Sequence, residues 1–308
     1  MKEPKVAIII STYNQKVLLK VCLKSLKTKT DYKRYKVYLM DDSGKGKIGG
    51  VIRKNFPWVK VIINQKNLGF PKSSNKGLNI SLKDYNPDYI LLLNDDIEII
   101  QRNWLKKMVE LGERDNKTGI IGCQLIYPDG SLQDVGGYLK KWELTKILAF
   151  KKNAVLDVDH FMGPCMLIKR AVVDKIGGYD EIFTPYLLED TDYCLRAKEI
   201  GYSIKVITSI KTIHNKGKTI NSIETKNRLL VRFKNDIIFS RRHLRGWNRF
   251  FRLFIFLPLV AIFRKKIDQE KLTKLGNFIF RKDAISNIFL LLKVYFLGPE
   301  KINKTLEK

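Results

Sequence analysis

Tyr89 to Leu93 is a block of five apolar residues without alternation, which suits a strand covered on both faces inside a parallel sheet. Similar apolar blocks recur at Val6 to Ile10, Tyr35 to Met40 and Val59 to Ile63. Amphipathic stretches separate them: one sets Val17, Leu18, Val21, Cys22 and Leu26 on one side, and another covers Ser73 to Leu82. Strands alternating with short helices predict an α/β fold on a mostly parallel sheet flanked by helices, with right-handed crossovers and its functional loops along one edge.

Further along, the pattern predicts a helix from Trp104 to Leu111, a strand from Gly119 to Tyr127 and a hairpin turn at Pro128-Asp-Gly-Ser131. Residues 140–157 have weak periodicity and are expected to form a mobile loop able to cover a site. Phe161 to Arg170 reads as a strand whose Gly163 and Pro164 imply close backbone approach to a ligand or neighbouring element. A short helix from Ala171 to Ile176 stops at Gly177-Gly178. Tyr193, Cys194, Leu195 and Ile200, closed by Gly201, define another helix, with Glu189, Asp190 and Asp192 in its first turn. Ser203 to Ile207 is a further strand, and His214 follows.

A chain of 308 residues can hold one large domain and a smaller appendage, here residues 1–220 and 221–308. The formal net charge is +27, unevenly spread: residues 211–308 carry 23 Lys+Arg against 7 Asp+Glu, so this part has a different partner from the rest. Cys22, Cys123, Cys165 and Cys194 lie far apart in apolar contexts without metal-ligand spacing, as reduced core residues of a cytoplasmic protein would. The first residues run straight into a strand, so no secretory leader is expected.

Chemistry gathers where the apolar blocks stop. Tyr89 to Leu93 ends in Asn94, Asp95 and Asp96, and Tyr35 to Met40 ends in Asp41 and Asp42. Ligands of open α/β sheets bind outside the carboxyl ends of the strands. Adjacent carboxylates there repel unless a cation lies between them and a partner, which makes the tip either a divalent-metal and diphosphate site or a solvated, capped turn. Three acids at the start of the 189 helix exceed what capping requires, and a proton-accepting base could be among them. His214 alone is either a ligand or an ordinary core or surface residue. The first turn, Ser11-Thr-Tyr-Asn-Gln15, lacks the glycines of a dinucleotide site, and Gly44-Lys-Gly-Lys-Ile48 has the wrong spacing for a phosphate-gripping loop. Hydride-transfer and ATPase readings therefore fail.

Six segments together resemble the inverting family 2 glycosyltransferases, with the GT-A fold, and their rhamnosyltransferase-like branch: Ser11-Thr-Tyr-Asn14, Asp41-Asp42-Ser43, Asn67-Leu-Gly-Phe70 with Asn75-Lys-Gly77, Leu93-Asn-Asp-Asp96, Gly177-Gly-Tyr-Asp-Glu181 and Glu189-Asp-Thr-Asp-Tyr-Cys-Leu-Arg196. The resemblance spans residues 4 to about 220. It implies a GT-A catalytic domain over 1–220 and a nucleoside-diphosphate sugar as donor. Thr12, Tyr13, Asn14, Asp42, Asn67, Gly69 and Asp95 are implied to hold the nucleotide, and Asp96 with His214 a Mg²⁺ or Mn²⁺ ion. Asp190 is implied as the base, with Glu189, Asp192 and Arg196 supporting it. Asn94-Asp95-Asp96 departs at its centre from the Asn-Pro-Asp often found in the family. The implied acceptor is a glycan or lipid-linked hydroxyl, at the cytoplasmic face of the cell membrane.

The remaining segment reads as a basic helix over 224–245, followed by Trp247 and an aromatic, apolar stretch whose uninterrupted core, Leu253 to Phe263, is 11 residues. A membrane span needs roughly 20. The segment, with Ile285 to Leu297 as a second contact, is expected to lie on an anionic membrane surface, with packing on the catalytic domain or a homodimer as the alternative. A sugar-nucleotide pyrophosphorylase would need a glycine-rich basic first loop. A nucleic-acid-binding protein would use the tail and leave the acidic strand tips without a role.

Overall fold

The computed structural model describes residues 3–140, 143–146, 151–215, 225–265, 278–280, 283–298 and 301–302. The chain divides into two compact units, Met1–Leu139 with Leu144–Ser222, and Lys140–Glu143 with Ile223–Lys308. In the first, β1 (Val6–Thr12), β2 (Tyr35–Asp41), β3 (Val59–Ile63) and β4 (Tyr89–Asn94) are parallel neighbours in the order β4-β1-β2-β3. Then come β5 (Ile97–Ile99), β6 (Thr118–Ile126), β7 (Leu132–Asp134), β8 (Gly137–Lys140), β9 (Glu143–Lys146), β10 (Val155–Val158), β11 (Cys165–Lys169) and β12 (Ser203–His214). The sheet continues from β4 through β11, β6 and β12 to β10, with β5 on β12 and β7 on β6. β11 lies antiparallel between β4 and β6, because the chain reaches it from the strand-tip rim and must lead away from it. The sheet is thus parallel in one half and mixed in the other.

The apolar blocks lack alternation because each strand divides its side chains between two cores. Ile8, Ile10, Leu91 and Leu93 enter one, with α1 (Lys16–Lys29), α2 (Lys47–Asn55) and α4 (Trp104–Arg114). Ile9, Ile90 and Leu92 enter the other, with α3 (Phe70–Tyr85), α5 (Arg170–Ile176) and α6 (Glu189–Glu199). All four cysteines are buried and unpaired.

Three expectations change. The buried stripe of α1 is Leu19, Cys22, Leu23 and Leu26, a regular i, i+3, i+4, i+7 set, while Val17 is 74% exposed and Val21 is also exposed. Residues 155–157, expected within a loop, begin β10, which pairs antiparallel with β12. As an edge strand with one neighbour it buries only Val158, so its sequence carries little period; residues 141, 142 and 147–150 lie outside the described set. β12 runs past Ile207 to His214, because a register shift against β6 between Ile207 and Lys211 breaks the alternation without ending the strand.

In the second unit the Thr225–His243 helix, a helical run through Gly246–Phe251, a π-turn at Arg252–Phe256 and Leu257–Ile262, and the Ala284–Leu297 helix share a core of Phe233, Ile237, Leu253, Leu257, Leu291 and Val294. An Arg252–Asp236 ion pair lies within it.

Gly77 explains part of the Asn75-Lys-Gly77 segment: a Cβ there would sit 2.7 Å from Ile9 Cγ2 and 3.0 Å from Met40, so α3 lies directly on β1 and β2. Gly77→Ala is expected to cost about 1–3 kcal/mol by overpacking, read by urea unfolding. A change below about 0.5 kcal/mol would show that α3 can shift freely.

Candidate active site

The parallel register aligns the strand ends: Thr12 pairs with Asp41 and Ser11 with Asn94. Thr12 Oγ1 donates to Asp95 Oδ2 at 2.5 Å, and the Asp42 N–H donates to the Thr12 carbonyl at 2.9 Å. Tyr13 and Asn14 follow on the surface, Tyr13 41% exposed and Asn14 in a left-handed turn (φ 57°). Asp95 is buried, and desolvation, resisted by the Thr12 hydroxyl and reinforced by Asp96, pushes its carboxyl up to about 7.

Asp42 is committed to a neighbouring loop. Its carboxylate accepts from Asn64 Nδ2 (2.8 Å), the Leu68 N–H (2.9 Å) and the Gly69 N–H (3.0 Å). Burial raises its pKa, and these hydrogen bonds oppose the rise. Asn67 Oδ1 also accepts from the Gly69 N–H at 2.9 Å, so Asn67-Leu-Gly-Phe70 is folded around two side-chain acceptors. Gly69 has φ +80°, and a Cβ there would lie 2.8 Å from Thr184 Cγ2, so only glycine fits. Asn75 carries the contact onward: it accepts from the Tyr179 N–H at 2.9 Å and donates to the Tyr179 carbonyl at 2.8 Å.

Asp96 Oδ1 is buried and makes no hydrogen bond, and it lies 3.4 Å from His214 Nε2. β12 brings His214 there by pairing it with Ile97 of β5, and the Asn215 N–H donates to the Asp96 carbonyl at 3.0 Å. His214 Nδ1 is 2.8 Å from Gln133 Oε1. A carbonyl oxygen only accepts, so with this amide orientation Nδ1 donates to Gln133 and Nε2 is the ring nitrogen turned towards Asp96. A carboxylate oxygen and an imidazole nitrogen side by side, the ring fixed by an outer hydrogen bond, are ligand types suited to a divalent cation. No cluster of three or more His, Cys, Asp or Glu in metal-binding arrangement occurs among the described residues. Asp96 and His214 would therefore supply part of a coordination shell, as is usual for a cation shared with substrate phosphates.

The same rim carries Asp190. The Asn94 N–H donates to the Pro164 carbonyl at 2.9 Å, and the adjoining Gly163 N–H donates to Asp190 Oδ2 at 2.8 Å. Asp190 Oδ1 accepts from the Thr191 N–H at 2.6 Å and the Thr191 hydroxyl at 3.2 Å. A Cβ on Gly163 would meet the Asp190 Cβ at 2.9 Å, so the close approach expected at Gly163 is to α6. Desolvation raises the Asp190 pKa, and the Gly163 and Thr191 donors and His160 oppose it. Glu189 is buried beside it. Asp192, fully buried, accepts from Arg196 Nε at 2.8 Å, and Arg196 caps the Ile176 and Gly178 carbonyls at 3.1 Å each, tying α6 to the end of α5.

Three contributors escape the sequence reading. Gln133 orients His214. Asp134 Oδ2 accepts from the Gly136 N–H (3.1 Å) and the Met162 N–H (3.0 Å), holding the turn that leads to Gly163. His160, its Nε2 buried without a hydrogen bond, has its pKa lowered by desolvation against the pull of Asp190, Asp134 and Asp159. The available signal was Leu132-Gln-Asp134 directly after the 128–131 turn, since a hairpin partner of β6 turns those polar side chains inward.

Comparison with known proteins shows the family and the fold. The model of the family described as Glycosyl transferase family 2 matches residues 7–177. The low-salt glycan biosynthesis hexosyltransferase Agl10 of Haloferax volcanii is 25% identical over 238 residues, covering 76% of this chain and 70% of that protein. An N-acetylglucosaminyl-diphospho-decaprenol L-rhamnosyltransferase of Mycobacterium tuberculosis is 20% identical over 276 residues, covering 79% of this chain and 86% of the relative. Some relatives are far longer: this chain spans 27% of protein y4gI of Sinorhizobium fredii, to which it is 24% identical over 78% of its own length. The mannosyltransferase PcManGT of Pyrobaculum calidifontis, solved with GDP-Man and Mn²⁺, superposes with a TM-score of 0.57 at 13% identity, covering 99% of this chain and 84% of that one. That likeness is one of fold, and the fold is GT-A. With a family match over residues 7–177, more than half its length, this chain belongs to glycosyltransferase family 2.

Proposed function

We propose that this protein transfers a sugar from a nucleoside-diphosphate donor to a hydroxyl of a glycan or lipid-linked acceptor, inverting the anomeric centre. The observation that carries the reading is the Asp96 Oδ1–His214 Nε2 pair, 3.4 Å apart, on the sheet rim from which Asp190 also hangs. PcManGT was solved with a nucleotide sugar and Mn²⁺, and the mycobacterial relative is named for a lipid-linked acceptor; both agree with this reading. Asp96 and His214 would hold Mg²⁺ or Mn²⁺, which when bound stabilises negative charge on the departing diphosphate as a Lewis acid.

The chain's own residues do the rest. Tyr13, exposed beside Thr12, offers a face for the nucleotide base, and Thr12 orients Asp95 towards the ribose. Asp42, Asn67 and Gly69 shape the loop that borders the nucleotide, since the Asp42 carboxylate already accepts three protein hydrogen bonds. Asp190 accepts the proton of the attacking hydroxyl. Its two N–H donors and the Thr191 hydroxyl aim it, and desolvation raises its basicity. A single displacement by the acceptor inverts the sugar and needs no carboxylate nucleophile. The family resemblance puts the acceptor at the cytoplasmic face of the membrane; separately, no described helix is long and apolar enough to cross one. Against a pyrophosphorylase stands the glycine-free turn after β1, and against a nucleic-acid binder the acidic rim.

Asp190→Asn is expected to bind donor and metal normally and to lose transfer by roughly a hundredfold or more. Near-normal transfer would remove Asp190 from the role. Because its pKa is raised and the ionised form is the base, kcat should fall with acidification at a pH above the usual carboxylate value of about 4, and residual transfer by Asp190→Asn should lack that limb. An acid limb at or below about 4, or one unchanged in the variant, contradicts this. Asp96→Ala should weaken metal-dependent donor binding in calorimetry, and unchanged affinity would remove Asp96 from the metal.

A further inference from the structure

The helical run over 246–262 and the Ala284–Leu297 helix pack side by side through Leu253, Leu257, Leu291 and Val294, and Asn287 Nδ2 donates to the Ala261 carbonyl at 3.2 Å. Their outward sides are also apolar. Trp247 is 81% exposed, Phe254 58%, Ile285 73%, Phe289 68% and Phe296 85%. In the Ala284–Leu297 helix these side chains recur at intervals of four and seven, a second stripe opposite the buried one. The rings are continuous: Trp247 packs edge-on against Phe250 at 5.4 Å, Phe250 against Phe254 at 5.1 Å, and Phe254 stacks on Tyr295 of the other helix at 6.1 Å with 4° between planes. An aromatic surface that spans two helices is larger than scattered exposed residues account for.

Its charge selects the partner. Arg241 and Arg245 are exposed just before Trp247, and Lys293 is exposed among the apolar side chains of the Ala284–Leu297 helix. No Asp or Glu occurs in residues 237–267 or 284–299. A second copy of the chain would set these cations against their own kind, and an apolar protein groove would leave them without counter-charge. Lipid phosphates satisfy the cations while acyl chains accept the rings, with tryptophan at headgroup depth and lysine extending along its stem to reach the phosphates.

We infer that the outward face of these two helices lies in the interfacial layer of an anionic lipid bilayer. The inference does not depend on the transfer reaction, since it uses none of the rim residues.

The test is flotation of the full-length chain with vesicles of phosphatidylcholine alone and of phosphatidylcholine mixed with phosphatidylglycerol. The chain should bind the anionic vesicles, bind neutral ones far less, and release as salt rises. Phe289→Ser with Phe296→Ser should weaken binding by roughly tenfold or more with an unchanged melting temperature, because both side chains are exposed. Arg241→Gln with Arg245→Gln should weaken binding to anionic vesicles only. Failure of the unaltered chain to bind anionic vesicles overturns the inference, as does equal binding by the double serine variant. A concentration-dependent dimer in ultracentrifugation that the serine variant abolishes, without vesicle binding, assigns the face to a second copy instead.

Discussion

Asp96 Oδ1 and His214 Nε2 face each other across 3.4 Å, and the rest of the catalytic unit keeps them there. They are held by the Asn215 N–H on the Asp96 carbonyl, by the pairing of His214 with Ile97, and by Gln133 on the far side of the imidazole. A carboxylate and an imidazole held together by backbone pairing are in place before any ligand arrives.

The sheet supplies that precision at small local cost. Parallel pairing of β1 with β2 and β4 brings Thr12, Asp41 and Asn94 to one level, and insertion of antiparallel β11 brings Gly163 and Pro164 alongside them. Asp190 then needs only one hydrogen bond to Gly163 to be tied to the same rim, although nearly a hundred positions separate it from Asp96. The buried Asp192–Arg196 pair fixes the helix that presents it, and Arg196 satisfies carbonyls left open at the end of α5.

How much of this was legible in the sequence follows from which signals are local. Unbroken apolar blocks announced β1 to β4, because burial on both faces leaves its mark on consecutive residues. The acids at their tips were equally visible, since composition changes abruptly from Leu93 to Asp95. β10 was missed because an edge strand with one exposed side has no strong period, and β12 was cut short because a register shift disturbs alternation within a continuing strand. Gln133, Asp134 and His160 were missed for a different reason. The 128–131 turn stands just before Gln133 and Asp134, yet only the pairing of β7 with β6 and the return of the chain before β11 turn these side chains inward. Asp42 was visible as a candidate ligand, but that its carboxylate also accepts three hydrogen bonds from a loop more than twenty positions away is disclosed only by the folded chain.

The central claim is that the carboxyl-end rim binds a nucleoside diphosphate through a divalent cation. Its most direct test is a panel of UDP-, GDP- and dTDP-sugars screened for thermal stabilisation of the protein, each with Mn²⁺ or Mg²⁺ and each with chelator. The account predicts that at least one nucleotide sugar raises the melting temperature with the ion present and loses the effect with chelator. No stabilisation by any donor in the presence of metal, or stabilisation indifferent to it, would contradict the account.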